Sequence, residues 1–240
     1  MEFIADGHRH AEFLYPLHPE FSSLYAEIDS SIHSITDQMI VEEFEEEKRE
    51  AKSISQAINR LVKREMLKRG WQEESYIFAD EEYGPQAKGT WRLDFAKEAL
   101  SVEVAFNHRS DISWNLIKPT LASELNHVQK AIQTKGGVII TATEGMKKAG
   151  GFDSACGTYE DYVQYLKPLY GILSSPLMII GLLPPETFRI DVEPVPGQSK
   201  KRGVVRKRAL LKHEHYVCPD CGSVVSLGLD SCGCGRRLLF

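Results

Sequence analysis

Between Pro176 and Pro184 the chain carries an unbroken apolar run, Leu-Met-Ile-Ile-Gly-Leu-Leu. It is far too short to cross a bilayer, and its flanking prolines mark it as a strand buried on both faces. Val138-Ile-Ile-Thr-Ala-Thr is of the same kind. Strands of this type need helices over each face of their sheet, which points to an α/β architecture.

The helices are legible from apolar spacing. From Leu24 to Leu67, Ile32, Ile35, Met39, Ile40 and Phe44, and then Ile54, Ile58, Leu61, Val62 and Met66, recur at helical intervals, so two or three helices are expected there. Gly70, after Lys68 and Arg69, ends the last of them. A polar, aromatic stretch runs from Trp71 to Thr90. Trp91-Arg-Leu-Asp-Phe-Ala then reads as a strand, Lys97-Glu98 as a turn, and Leu100-Ser-Val-Glu-Val-Ala-Phe as a second strand, together a β-hairpin. A helix is expected from Leu116 to Ala131, broken by Gly136-Gly137, and another from Tyr159 to Leu173. The expected organisation is an N-terminal helical region (1–70) packed on a core (71–192), a basic linker (193–212) and a small C-terminal module (213–240).

That module is set by Cys218-Pro-Asp-Cys221-Gly and Cys232-Gly-Cys234-Gly. Two thiolates with two residues between them can ligate one ion while the following glycine permits a left-handed turn. The second pair is one residue shorter than usual, and Gly233 and Gly235 relieve its backbone. Four cysteines within seventeen residues suit a structural Zn2+ site in a reducing compartment better than a disulfide framework. His213 or His215 could replace one cysteine, whereas Cys156 stands alone in a glycine-rich loop. The N-terminus, MEFIADGHRHAEF, lacks the basic start and apolar block of a secretory signal, so a cytoplasmic location is expected.

The net charge of −5 hides an uneven distribution. Glu42 to Glu50 is acidic, while Lys200 to Lys212, KKRGVVRKRALLK, holds seven basic residues and no acid. Lys200, Lys201, Arg202, Arg206, Lys207 and Arg208 are therefore candidate phosphate contacts, as a cationic arm that tracks a nucleic-acid backbone. Lys147 and Lys148, in the glycine-rich stretch from Glu144 to Thr158, could reach a groove.

In the hairpin, Asp94 lies near the end of one strand and Glu103 in the middle of the next. Antiparallel strands can bring two such carboxylates together around one divalent ion suited to phosphodiester hydrolysis. Glu103, Ala105 and Asn107 share one face, while Val102, Val104 and Phe106 enter the core. Glu65, on the preceding helix, is a further candidate against its plainer role as a solvated helix residue.

These segments together, from about Ala57 to Thr143, resemble the PD-(D/E)XK nuclease superfamily, and within it the BglII/BstYI-like type II restriction endonucleases. The resemblance rests on the helix ending Arg69-Gly70-Trp71, then Arg92-Leu-Asp94-Phe, Val102-Glu103-Val-Ala-Phe-Asn107, Asp111 and the strand Gly137-Val-Ile-Ile-Thr. It implies a restriction-endonuclease-like α/β core, Mg2+ held by Asp94 and Glu103, cleavage of double-stranded DNA at a short site, and a homodimer with one site per strand. The third signature position departs from the family, with Ala105 where a lysine, glutamine or glutamate is expected. Asn107 could orient the attacking water instead, and His108 or Arg109 could stabilise charge on the phosphate. Two rivals stand beside this expectation. One is a non-catalytic DNA-binding protein on the nuclease fold, and the other is an unrelated zinc-ribbon protein that binds another protein.

Overall fold

The computed structural model describes residues 1–46, 51–79, 91–124, 129–197, 199–207, 215–217, 221, 223–226 and 231–235. In chain order the main elements are β1 (Phe3–His8), α1 (Ala11–Leu17), α2 (Ser22–His33), α3 (Asp37–Glu45), α4 (Ser55–Lys68), β2 (Gln72–Tyr76), β3 (Arg92–Lys97) and β4 (Leu100–Val104). There follow α5 (Ile112–Ser123), β5 (Gly136–Ala142), α6 (Glu144–Ala149), α7 (Tyr159–Leu169), β6 (Leu177–Leu182), β7 (Phe188–Pro194), β8 (Lys201–Lys207), β9 (His215–Val217) and β10 (Val224–Ser226).

Six strands form one mixed sheet in the order β1-β6-β5-β4-β3-β2. The parallel centre, β4, β5 and β6, holds the two apolar runs, and every residue of β5 and β6 is buried. Alternation divides their side chains between two helical layers. Val138, Ile140, Met178, Ile180 and Leu182 pack with α1 to α4, while Ile139, Leu177 and Ile179 pack with Ile112 and Leu116 of α5 and Tyr159, Tyr162 and Leu166 of α7.

Several segments differ from the sequence expectation, among them the helix expected from Leu116 to Ala131, which runs instead from Ile112 to Ser123. The 1–70 region is not wholly helical, because Phe3–His8 pairs antiparallel with β6, Ile4 opposite Gly181. Its short run, Phe-Ile-Ala-Asp-Gly-His, has no regular apolar–polar alternation and carries little strand signal, and it is an edge strand whose partner lies far along the sequence. Likewise β2 arises inside the polar, aromatic stretch after Trp71, pairing with β3. The supposed linker from Glu193 to Gly203 is part of a hairpin, since β7 and β8 pair from Phe188 opposite Lys207 to Pro194 opposite Lys201. Phe188 and Ile190 belong to the main core, and Gly203 donates its N–H to Ala51 O at 2.8 Å, so this hairpin is anchored to the body of the protein.

Gly136 and Gly137 do not break a helix, since α5 already ends at Ser123. They open β5, and a Cβ on Gly137 would collide with Pro119 Cβ, with Pro119 Cγ at 2.9 Å and Ser101 Oγ at 3.1 Å. The missing side chain lets α5 lie close against the sheet. That approach governs what α5 delivers to the neighbouring strand.

Candidate active site

The β3–β4 hairpin ladder runs from Lys97 opposite Leu100 to Phe95 opposite Val102. One step further along stand Asp94 and Glu103. Here side chains take over from the backbone: Val104 N–H donates to Asp94 Oδ2 at 2.8 Å, and Asp94 N–H to Glu103 Oε1 at 3.4 Å. The expected division of faces on β4 holds. Val102, Val104 and Phe106 meet the core on the α1–α4 side, and Ala105 joins the cluster under α5 and α7.

Both carboxylates are held in a desolvated place. Glu103 is only 2 % exposed. Burial, followed by the Asp94 charge, pushes its carboxyl up to about 8 in spite of a nearby cation. Burial also raises Asp94, partly offset by the Val104 N–H. Two adjacent acids that the surrounding protein does not fully neutralise form a donor set of hard oxygens suited to a divalent cation such as Mg2+.

The nearby cation is Lys118, which the sequence did not single out. It projects from α5, buried at 8 % exposure, and its Nζ donates to Glu103 Oε2 in an ion pair. A lysine before a proline inside an apolar helix, fifteen residues from Glu103, carries no motif. Its one legible signal was a charge on the buried side of α5, between Leu116 and Pro119.

Asn107 lies further along the same chain segment, exposed, where its Oδ1 accepts from Asn115 Nδ2 at 3.0 Å. Asn115 is buried and also donates to the Tyr162 hydroxyl at 2.7 Å. Asn107 is thus tied to α5 and α7 through Asn115. His108 is exposed and joined by backbone to Cys156, while exposed Arg109 pairs with Asp161 at 2.9 Å. The adjacent lysines part company. Lys147 is buried and donates to Cys156 O at 2.9 Å, whereas Lys148 faces solvent. Glu65 is engaged on its own helix with Lys68 and Arg69, at 2.6 and 2.9 Å.

On the β7–β8 hairpin, Lys200, Lys201, Arg202 and Lys207 are exposed. Arg206 is not an unopposed charge. Its guanidinium pairs with Glu193 and lies 3.7 Å from Asp191, both on β7. Arg208 falls outside the described residues.

In the C-terminal module, the sulfurs of Cys221, Cys232 and Cys234 all lie within 4.8 Å of one another, beside the β9–β10 hairpin. Ser223, whose hydroxyl is 3.2 Å from Cys221 Sγ, and then Cys232 hold the Cys221 thiol down at about 6, in the thiolate-favouring direction. Cys218 and His213 lie outside the described residues, as does the side chain of His215. Three converging sulfurs fit a soft, tetrahedral cation such as Zn2+. Buried Cys156 stands elsewhere, and among the described residues no other group of three ligating side chains converges.

A mixed sheet sandwiched by helices defines the class: the restriction-endonuclease fold. Residues 4–182 match the profile of the family described as restriction endonuclease BglII/BglIII. The chain belongs to this family and is a type II restriction endonuclease that acts on DNA. Among solved structures, the chain is similar to restriction endonuclease BglII complexed with a DNA 16-mer, with a TM-score of 0.56 and 17% identity over 94% of this chain and 100% of that one. It is also similar to free BglII, with a TM-score of 0.48 and 16% identity over 94% and 100% of the two chains. No curated protein matches it in sequence. The family match sets aside the reading of the chain as an unrelated zinc-ribbon protein. No described helix is long and apolar enough to cross a membrane.

Proposed function

We propose that the chain hydrolyses phosphodiester bonds of double-stranded DNA at a short specific site, with Mg2+ held by Asp94 and Glu103, and that it works as a homodimer in the cytoplasm. The observation that carries the catalytic reading is the carboxylate pair itself, a buried Glu103 beside a half-buried Asp94. Asp94 and Glu103 meet where the strand ladder gives way to side chains, and burial raises both carboxyls in spite of Lys118. A divalent ion there would make water more acidic and offset charge on the scissile phosphate. The chain's own residues do the rest. Asp94 is aimed by the Val104 N–H, and Glu103 by Lys118 and the Asp94 N–H. Cleavage of two strands related by a two-fold axis calls for two such sites, which supports the dimer.

The tail is proposed to be a structural zinc site of Cys218, Cys221, Cys232 and Cys234, supported by the three convergent sulfurs. The exposed cations of the β7–β8 hairpin, with Lys148, supply sequence-independent affinity for the DNA backbone.

The deciding experiment is incubation of a sequenced supercoiled plasmid with purified protein and magnesium. Discrete fragments are expected. Asp94→Asn and Glu103→Gln, which nearly preserve volume, should abolish cutting while leaving DNA binding in calcium. Cleavage by Asp94→Asn at the parental rate would place the metal site elsewhere. A parent that binds a defined site tightly yet cuts no DNA, methylated or not, would favour the non-catalytic rival.

A further inference from the structure

Ala105 leaves β4 with no polar side chain at the position two residues beyond Glu103, and α5 covers that face. Ala105 lies in the same apolar cluster as Ile112 and Leu116 of α5, so the space beside it is governed by the helix and not by the strand. From the middle of that helix comes Lys118. An ammonium at 8 % exposure is uncommon unless its donors are engaged. Lys118 has three N–H groups, and among the described residues Glu103 is its one hydrogen-bond partner. Two donors therefore remain beside the Asp94–Glu103 pair without an acceptor among the described residues. An apolar side chain at this helix position would pack against the same sheet without burying a charge.

We propose that Lys118 supplies from α5 the charged third member of the active site that Ala105 cannot supply from β4, donating a hydrogen bond to the attacking water. The proposal rests on Asp94 and Glu103 being the metal-binding pair. In the hydrolysis, the water oxygen forms the new bond to phosphorus, one ester P–O bond breaks, the departing oxygen takes up a proton, and the proton lost by the water passes to solvent. Lys118 keeps its own three protons throughout and acts by position and charge. Its contact with Glu103 orients the amine, and Gly137, by admitting Pro119 against the sheet, sets how deeply the amine reaches.

The test is single-turnover cleavage at saturating protein, followed over a magnesium titration, for the parent, Asp94→Asn, Lys118→Met and the double variant Ala105→Lys/Lys118→Met. Lys118→Met should be slower by about 10²-fold or more at every magnesium concentration, with DNA binding in calcium nearly unchanged, as expected for loss of one pre-positioned donor. The double variant should recover at least about tenfold of that loss by returning an amine to the strand. A lysine that only neutralises Glu103 predicts the opposite pattern: Lys118→Met would bind magnesium more tightly and reach the parental rate once saturated. That result, with Asp94→Asn inactive, overturns the role of Lys118 and leaves the metal pair standing. Parental cleavage by Asp94→Asn instead removes the pair and this inference together. Should Lys118→Met fail to fold, Lys118→Gln carries the test. It is expected to be at least about tenfold slower, and a parental rate in it overturns the proposal.

Discussion

Pro119 of α5 sits directly against Gly137 of β5, with Pro119 Cγ only 2.9 Å from where a glycine-to-alanine change would put a methyl group. Lys118 precedes this contact, so the closeness of helix to strand and the reach of the lysine are one structural fact. Gly137→Ala should push α5 outward and destabilise the protein by about 1–3 kcal/mol, the usual cost of overpacking a buried contact. It should also slow cleavage in the fraction that remains folded. Urea unfolding and single-turnover rates check both effects. Parental stability would mean that α5 is less tightly seated than this contact implies.

The acidity of Glu103 links stability, pH and metal. Its carboxyl ordinarily titrates near 4.5 and is raised by burial to about 8 in the folded protein. Below about pH 4.5 both states hold the proton; between there and pH 8 the unfolded chain releases it more readily. The metal-free protein therefore loses, as pH rises through that window, a contribution that is fully present at the acid end. A divalent cation reverses this by replacing the proton, so its apparent affinity should rise up to about tenfold per pH unit across the window. The melting shift caused by calcium should be larger at about pH 8 than at about pH 6, and Glu103→Gln should remove the difference. A calcium shift independent of pH would contradict the raised carboxyl of Glu103.

For the C-terminal module, metal analysis should find about one zinc per chain, as a closed four-thiolate site requires. Cys221→Ser should release it and unfold the tail, while the melting of the core, followed through buried Trp71, stays the same. Full zinc retention in a variant lacking both Cys218 and Cys221 would remove the proposed site.

The basic hairpin gives a graded prediction. Neutralising Lys200, Lys201 and Arg202 should weaken binding to all DNA sequences alike and make its salt dependence shallower, because phosphate contacts carry no base information. Arg206→Gln should change the salt slope less than any one of these, since Glu193 and Asp191 already hold that guanidinium. Filter binding over a salt series measures both. A shift in sequence preference with an unchanged slope would mean that the hairpin reads bases.

Asn107 has a different environment from the one its place in the sequence implied. Its Oδ1 is occupied by Asn115, which also serves Tyr162, so the group is held in a network instead of pointing unengaged at the carboxylates. If it nonetheless orients water, Asn107→Ala should lower the cleavage rate by about 10²-fold. Asn115→Ala should then cost less, through loss of positioning alone. Equal small effects in both variants would confine the network to holding α5 and α7 in place.

The sequence by itself determined what depends on short-range periodicity and spacing. The apolar runs at Val138 and Leu177 announced buried strands, the Asp94–Glu103 spacing announced a hairpin with opposed carboxylates, and the alternation on β4 assigned Val102 and Ala105 to opposite sides. These patterns are legible because backbone geometry repeats every two or every 3.6 residues whatever the rest of the chain does. The tertiary structure alone decided the remainder. Phe3–His8 became a strand because β6 offered it an edge, and the acid-free basic run acquired acidic neighbours when β7 folded beside β8. Lys118 met Glu103 because a glycine on β5 let a proline-bearing helix come close. Each of these depends on contacts between segments distant in sequence, whose energies come from packing and desolvation and leave no periodic trace along the chain.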